Sequence, residues 1–187
     1  LKLREIPFRN SIEISHQPPL FLESADATLA ELLYSRYNTT KLFTEEDIFK
    51  LAESVLYTLS FLQSKKVSYV DLCQENIYYD AQTSSFKLLP IELIKDSAYE
   101  LAKSGKRFSL LAPELVLALR YGESEIEEDI QDRSNVFTLG MILLEALTLL
   151  PSKDCYDGDS YDILDEMVTS RLDTVREFYP EFLAKLI

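Results

Sequence analysis

The stretch Tyr69-Val70-Asp71-Leu72-Cys73-Gln74-Glu75-Asn76 places an aspartate five residues ahead of an asparagine, between two predicted elements of different type. Before it, Thr44 and the acidic residues that follow predict the start of a helix of about 20 residues. After it, residues 77–79 and 86–89 predict the strands of a hairpin around a polar turn. The apolar stripe of the helix recurs at three- and four-residue steps and consists of Ile48, Ala52, Val55, Leu56, Leu59 and Leu62.

This octapeptide resembles the catalytic loop of protein kinases, His-Arg-Asp-Leu-Lys-Pro-Glu-Asn. In that family the Asp accepts the proton of the substrate hydroxyl and the Asn holds a magnesium ion. The resemblance assigns these roles to Asp71 and Asn76, and Leu72 and Glu75 also match. The family's His, Arg, Lys and Pro are replaced by Tyr69, Val70, Cys73 and Gln74.

Three further segments follow in the order that the kinase family shows. Pro90-Ile91-Glu92 stands where the family has Asp-Phe-Gly, after a strand-like run. Ala112-Pro113-Glu114 is identical to the family's Ala-Pro-Glu. The segment 134–145 resembles the opening of the family's central buried helix, with Asn135 and Phe137 in place of its Asp and Trp. Four matches in the right order make coincidence a poor explanation.

The resemblance implies a fold class of α+β, mainly α: a kinase-like C-lobe with a small strand remnant of the N-lobe and a β-hairpin. Residues 1–24 would be the end of the N-lobe and hinge-like strands, and residues 25–187 a helical C-lobe that is incomplete at its C-terminus. The chain contains neither a Gly-x-Gly-x-x-Gly loop nor a Val-Ala-Ile-Lys strand. We therefore expect a fragment of a longer protein, with any N-lobe outside these residues.

The remaining elements are predicted from helix-start signals and apolar spacing. The pair Thr28 and Glu31 has the spacing of a capping box and predicts a short helix to about Ser35. The acidic run 123–129 is predicted to be a solvated loop, with docking of a basic partner as the alternative. Further helices are predicted at 97–106, in place of an activation loop, at 136–150, which should be buried, and at 161–170 and 180–187.

Composition excludes several classes of function. The formal net charge of −13 opposes binding to nucleic acid and to anionic membrane surfaces. The most apolar run, 136–150, contains Glu145 and is shorter than the roughly 20 residues that span a bilayer, so no membrane insertion is expected. Two cysteines, Cys73 and Cys155, do not make a disulfide framework and indicate an intracellular protein, most simply a cytoplasmic one.

Other enzyme classes lack their residues. His16 is the only histidine, which leaves a zinc site short of ligands. His16 also falls in a region predicted as strand and loop, so no Ser, His and Asp set for a hydrolase can be assembled.

The same substitutions argue against phosphotransfer. Pro90 has no group to bind magnesium, and Glu92 would have to shift by two residues to replace the missing carboxylate. Asp71 is expected to be a structural aspartate and Cys73 an inert packed thiol. Val70 replaces an arginine that pairs with phosphorylated activation loops, so activation by loop phosphorylation is not expected. The family partner of Glu114 would lie beyond residue 187.

The sequence thus predicts a pseudokinase: a catalytically inactive domain that acts as a protein-binding scaffold or as an allosteric component of a larger assembly. Asp71 and Asn76 would be vestigial, and no metal, nucleotide or other cofactor is expected. The partner would be a protein, with a basic one favoured by the charge. The alternatives are a divergent active serine/threonine-type protein kinase that uses Asp71 as its base, and a nucleotide-binding switch without phosphotransfer.

Overall fold

The computed structural model describes residues 25–107 and 110–187. Within these ranges the chain is mainly helical and carries one small three-stranded antiparallel sheet, which confirms the predicted class of α+β, mainly α. The predicted strands and hinge at residues 1–24 lie outside the described residues. No helix in the described part of the chain is long and apolar enough to cross a membrane.

The helices are α1 (Leu29–Thr39), α2 (Glu45–Ser64), α3 (Ala98–Lys103), α4 (Pro113–Tyr121), α5 (Glu128–Thr148), α6 (Asp165–Phe178) and α7 (Glu181–Ala184). The strands are β1 (Ala27–Thr28), β2 (Ile77–Asp80) and β3 (Ser85–Leu88). Short 3-10 turns occur at Gln74–Asn76, Ile91–Leu93 and Ser152–Cys155.

Local capping signals fix the starts of the first helices. Thr28 and Glu31 form the predicted capping box of α1, with Thr28 N donating to Glu31 Oε2 at 2.8 Å. Thr44 caps α2 in the same way, using the carboxylate of Asp47. Ser97 caps α3. The side-chain oxygens satisfy backbone N–H groups that have no partner inside the helix, so these starts are encoded locally.

The sheet is the predicted hairpin extended by one short strand. β2 and β3 pair antiparallel, with Ile77 opposite Leu88 and Asp80 opposite Ser85. β1 pairs with the other edge of β2, where Ala27 faces Tyr79. Since β1 leads directly into α1 and β3 packs on α2, the sheet joins the start of the described chain to its helical body.

Helix α5 lies at the centre of the main core. It packs against α2, α4 and α6, and most of its residues from 138 to 147 are buried. Ile142, Leu144 and Ala146 have no exposed surface. Burying one such leucine or isoleucine side chain contributes about 1.5–3 kcal/mol, so the buried residues of α5 add substantially to hydrophobic stability. The predicted helix at 136–150 is confirmed up to Thr148, and most of it is buried, but Val136 is 59% exposed.

The structure differs from the predictions at several helices. α1 continues to Thr39 instead of ending near Ser35, α7 covers only Glu181–Ala184 of the helix expected at 180–187, and α4 was not predicted. α5 begins at Glu128, six residues before the expected opening at Ser134, so part of the acidic run belongs to the first turn of a helix and only residues 122–127 form a loop. Negative charge at a helix N-terminus is stabilised by the helix dipole, which explains the earlier start. α6 begins at Asp165 and continues to Phe178, where a helix was expected at 161–170.

Candidate functional site

Asp71 lies at the centre of a polar cluster between α2 and the hairpin. Its side chain is 8% exposed, and its Oδ1 forms a salt bridge with the Arg107 guanidinium. Its Oδ2 accepts a hydrogen bond from Asn76 Nδ2 at 3.0 Å, and the Cys73 thiol donates to the same oxygen at 3.8 Å. Both carboxylate oxygens therefore have protein partners, one of them a cation.

Asn76 is also engaged within the loop. Its Nδ2 donates to the backbone carbonyl of Asp71 at 2.8 Å, in addition to the carboxylate. The backbone carbonyl of Asn76 accepts a hydrogen bond from Leu89 N at 2.8 Å, which links the loop to the end of β3. The structure thus brings the two predicted site residues together, and the bonds between them close the loop on itself.

The loop is held in place by buried hydrogen bonds from three directions. Tyr69 is 1% exposed, and its hydroxyl donates to the carbonyl of Leu89 at 2.9 Å. Asn135 of α5, 2% exposed, donates from Nδ2 to the Tyr69 carbonyl at 2.8 Å. Ala98 N at the start of α3 donates to the Val70 carbonyl at 2.9 Å. Because the partners Leu89, Asn135 and Ala98 lie on separate parts of the fold, the loop conformation depends on the tertiary structure.

Glu145 of α5 supports the far side of the loop. Its Oε2 accepts from Gln74 Nε2 at 2.9 Å and from the backbone N–H of Ser152 at 2.8 Å. The Ser152 hydroxyl lies 2.6 Å from the same oxygen. One carboxylate thereby joins the loop to the turn after α5, and bonds to a charged acceptor are stronger than neutral ones. The sequence alone did not indicate this supporting role of Glu145.

Pro90-Ile91-Glu92 forms a turn that leaves the site without an obvious metal ligand. Residues Ile91–Leu93 are a 3-10 turn capped by Pro90, and the Glu92 side chain is exposed to solvent. In the described ranges, no group of three or more His, Cys, Asp or Glu side chains is arranged to hold a metal ion. Magnesium requires several oxygen ligands in octahedral arrangement, which the residues around Asp71 do not supply.

Glu114 meets a different partner from the expected cation. It is half-buried at the start of α4, and the Ser134 hydroxyl of α5 lies 3.1 Å from its Oε1. No salt bridge of Glu114 forms within the described residues. Partial exposure and a hydroxyl partner relieve the cost that an unpaired, fully buried carboxylate would carry.

Burial favours the protonated form of the Cys73 thiol and of two tyrosine phenols. It raises the pKa of the Cys73 thiol to about 12, and it raises the pKa of the Tyr69 phenol. The Tyr156 phenol, which donates to the carbonyl of Leu111 at 3.1 Å, also has a raised pKa because of burial. A thiol that remains protonated at neutral pH is neither a nucleophile nor a metal ligand, so Cys73 packs as a small apolar side chain.

These shifts predict a loss of stability at alkaline pH. In the unfolded chain Cys73 ionises near its ordinary pKa of about 8.5, whereas in the folded chain it stays protonated, so the stabilisation is present below that value. It is lost as the pH rises from about 9 towards the folded pKa of about 12. The expected contribution is a slope of about 1.4 kcal/mol per pH unit for this one group.

Urea unfolding between pH 7.5 and pH 10.5 measures this slope. We expect the free energy of unfolding of Cys73→Ala to fall less steeply with pH than that of the wild type, while other ionisable groups affect both proteins equally. Equal slopes, or reaction of Cys73 with a thiol reagent in the folded protein at neutral pH, would contradict the assigned shift.

Arg107 is the site residue that the sequence did not reveal. It follows α3 and lies 36 residues from Asp71 in the chain, 25% exposed. No motif includes it. The only local signal was a cation just after the predicted helix at 97–106, in the segment that the resemblance assigns to the activation loop.

Comparisons with known proteins add no relative: no protein-family model matches the chain, and no curated protein matches it significantly. The resemblance to protein kinases stays a prediction that rests on the motifs and on the chemistry of the residues around Asp71.

Proposed function

We propose that the chain is the helical C-lobe of a pseudokinase, which has lost phosphotransfer and acts by binding other proteins as a scaffold or allosteric component of an assembly. Its first support is the order of the four kinase-like segments at 69–76, 90–92, 112–114 and 134–145. A fold alone does not determine function, so the proposal depends on the chemistry of the residues around Asp71.

The single observation that carries the loss of phosphotransfer is the salt bridge between Arg107 and Asp71. A general base needs a free lone pair within hydrogen-bond reach of the hydroxyl that it deprotonates. Asp71 has Arg107 on one oxygen and Asn76 and Cys73 on the other, so three of its roughly four acceptor positions are already occupied.

The missing metal carboxylate gives independent support. Phosphoryl transfer in kinases depends on magnesium ions that neutralise charge on the transferring group. Pro90 offers no side-chain ligand, and Glu92 points into solvent. Asn76 donates its amide N–H groups to Asp71, which leaves only one neutral oxygen for a cation.

The binding role is supported by exposed apolar surface on α2 and α5. On α2, Tyr57 is 75% exposed, Phe61 53% and Leu56 42%, and on α5 Val136 is 59% exposed. Exposed patches of large apolar side chains mark interaction sites in proteins. The formal net charge of −13 favours a partner of opposite charge.

Assays of nucleotide binding and phosphotransfer test the proposed function. We expect millimolar ATP to leave the melting temperature unchanged, with or without magnesium. We also expect no incorporation of labelled phosphate into the chain or into a basic protein substrate, and the same background for Asp71→Asn. An active kinase run in parallel controls the assay.

Other outcomes identify the alternatives. Phosphate incorporation that Asp71→Asn abolishes would overturn the proposal in favour of a divergent kinase. A rise in melting temperature with ATP but without transfer would favour a nucleotide-binding switch. Both assays should be repeated on a longer chain if one containing an N-lobe is found, since that lobe supplies the nucleotide-binding loop in kinases.

A further inference from the structure

A groove runs along the surface between the C-terminal half of α2 and the N-terminal half of α5. It has a volume of about 230 Å³, and its apolar lining comes from Leu56, Leu59 and Val136. The Ser68 hydroxyl, just beyond α2, donates to the Glu128 carbonyl at 3.2 Å, so the C-terminal end of α2 lies beside the N-terminal end of α5. The lined stretch from Leu56 to Gln63 spans about 10 Å of helix, or about two turns.

The two ends of the groove differ in chemistry. One end carries Leu56 and Val136, with the exposed Tyr57 next to them on α2. The other end carries Asp129 and Asp132. Asp129 is paired with Arg133 at 2.7 Å, but both side chains are largely exposed, and such a pair contributes little and exchanges readily.

Acidic residues dominate the charge beyond that end. Five carboxylates lie between Glu125 and Asp132, in the loop before α5 and in its first turns. The cations next to these segments in the chain are Arg133 and the two lysines that follow α2, Lys65 and Lys66. The acidic end therefore keeps a net negative charge even when every cation is counted.

We propose that this groove, which we call the α2–α5 groove, binds an amphipathic helical segment of a partner protein, with basic residues at one end and apolar anchors at the other. The inference rests on the proposed protein-binding function and specifies its partner chemistry. The apolar anchors would cover Leu56 and Val136, and the Lys or Arg side chains of the partner would reach Asp129 and Asp132.

Shape and charge both select this occupant. A cleft between two antiparallel helices accepts a third helix, whose anchors recur at i, i+3 or i+4, and i+7. A second copy of this chain would bring the same carboxylates and a charge of −13 to a surface that is already acidic. Nucleic acid is excluded for the same electrostatic reason.

A displayed library of random peptides about 16 residues long, enough for about four helical turns, tests the proposal. The library is selected on the whole chain at about 0.1 M salt, without depletion on any variant. We expect the selected peptides to carry apolar residues at helical spacing and a cluster of Lys or Arg at one end. The best peptide, labelled with fluorescein, is then titrated with each variant by fluorescence anisotropy.

Two variants should weaken binding of that peptide. Val136→Asp places a carboxylate against the apolar anchors, and we expect at least a tenfold loss of affinity, which corresponds to about 1.4 kcal/mol. The double variant D129N/D132N should weaken binding about threefold and reduce its dependence on salt, because the lost contacts are between charges. Val136 is 59% exposed, so the substitution should not disturb the fold.

Matched controls separate this groove from other surfaces. Leu117→Asp changes a leucine that is 48% exposed and lines a second groove beside α4. The variant D165N/E166Q removes two exposed carboxylates from the first turn of α6. Each should change the affinity by less than about twofold, the size of an effect from a distant surface charge.

The outcomes distinguish this inference from the function on which it rests. Binding that Leu117→Asp abolishes and Val136→Asp does not would overturn the groove while the scaffold function stands. Selected peptides with no basic cluster, no peptide binding at all, or self-association that Val136→Asp abolishes would also overturn it. Peptide binding in the groove together with phosphate transfer would overturn the loss of catalysis and leave the groove intact.

Discussion

Replacing Arg107 by methionine is expected to lower the free energy of unfolding by about 3 kcal/mol, since removal of one partner leaves a buried charge unpaired. The Asp71 side chain is 8% exposed, so water cannot replace the lost guanidinium. The bonds from Asn76 and Cys73 remain and keep the cost at the lower end of the usual range. Urea unfolding at pH 7.5 measures the change.

The double variant D71N/R107M tests the reason for the loss. When both charges are removed, no unpaired charge remains, and we expect the stability to return to within about 1 kcal/mol of the wild type. Arg133→Met is the matched control, because its pair with Asp129 is exposed, and we expect a change below about 0.5 kcal/mol. Additive losses in the double variant would show that Arg107 and Asp71 do not interact.

The same variants also bear on catalysis. If Arg107 only blocked a competent base, Arg107→Met would restore phosphate transfer. We expect no transfer, because the position of the metal carboxylate is still occupied by Pro90. Activity in Arg107→Met that D71N/R107M lacks would instead identify an inhibited kinase.

The contrast between Asp71 and Arg107 shows what the sequence could predict. The first two helices followed from local signals, such as the caps at Thr28 and Thr44, which need only residues three positions apart, whereas the fold class followed from the resemblance to kinases. The proximity of Asp71 and Asn76 followed from their spacing. The pairing with Arg107 spans 36 residues and depends on the path of the chain after α3, which no periodicity encodes.

The helix starts that were misplaced lack such local signals. Glu127 and Leu164 precede α5 and α6, and neither makes a side-chain capping hydrogen bond. The acidic run before Ser134 fits both a solvated loop and a first helical turn, so composition could not decide between them. α6 is fixed by tertiary contacts instead: its Val175 is fully buried, and Arg171 donates to the carbonyls of Leu150 and Pro151.

Asn135→Asp is expected to destabilise the protein by about 3 kcal/mol at pH 8, although it introduces the residue that the resemblance to kinases would favour at this position. Asn135 is 2% exposed and donates from Nδ2 to the Tyr69 carbonyl at 2.8 Å. A carboxylate cannot donate, so the substitution would bury a charge against a carbonyl oxygen.

The pH dependence separates the charge from the lost hydrogen bond. Desolvation raises the pKa of the introduced carboxyl in the folded state, so its penalty is absent below the unfolded value of about 3.9 and grows as the pH rises towards the folded pKa. The loss relative to wild type should therefore shrink between pH 8 and pH 5. Asn135→Ala, the control, should cost about 2 kcal/mol at both values, because it leaves the Tyr69 carbonyl unpaired without adding a charge. An N135D variant as stable as the wild type at pH 8 would mean that this side chain accepts, rather than donates, a hydrogen bond at the loop.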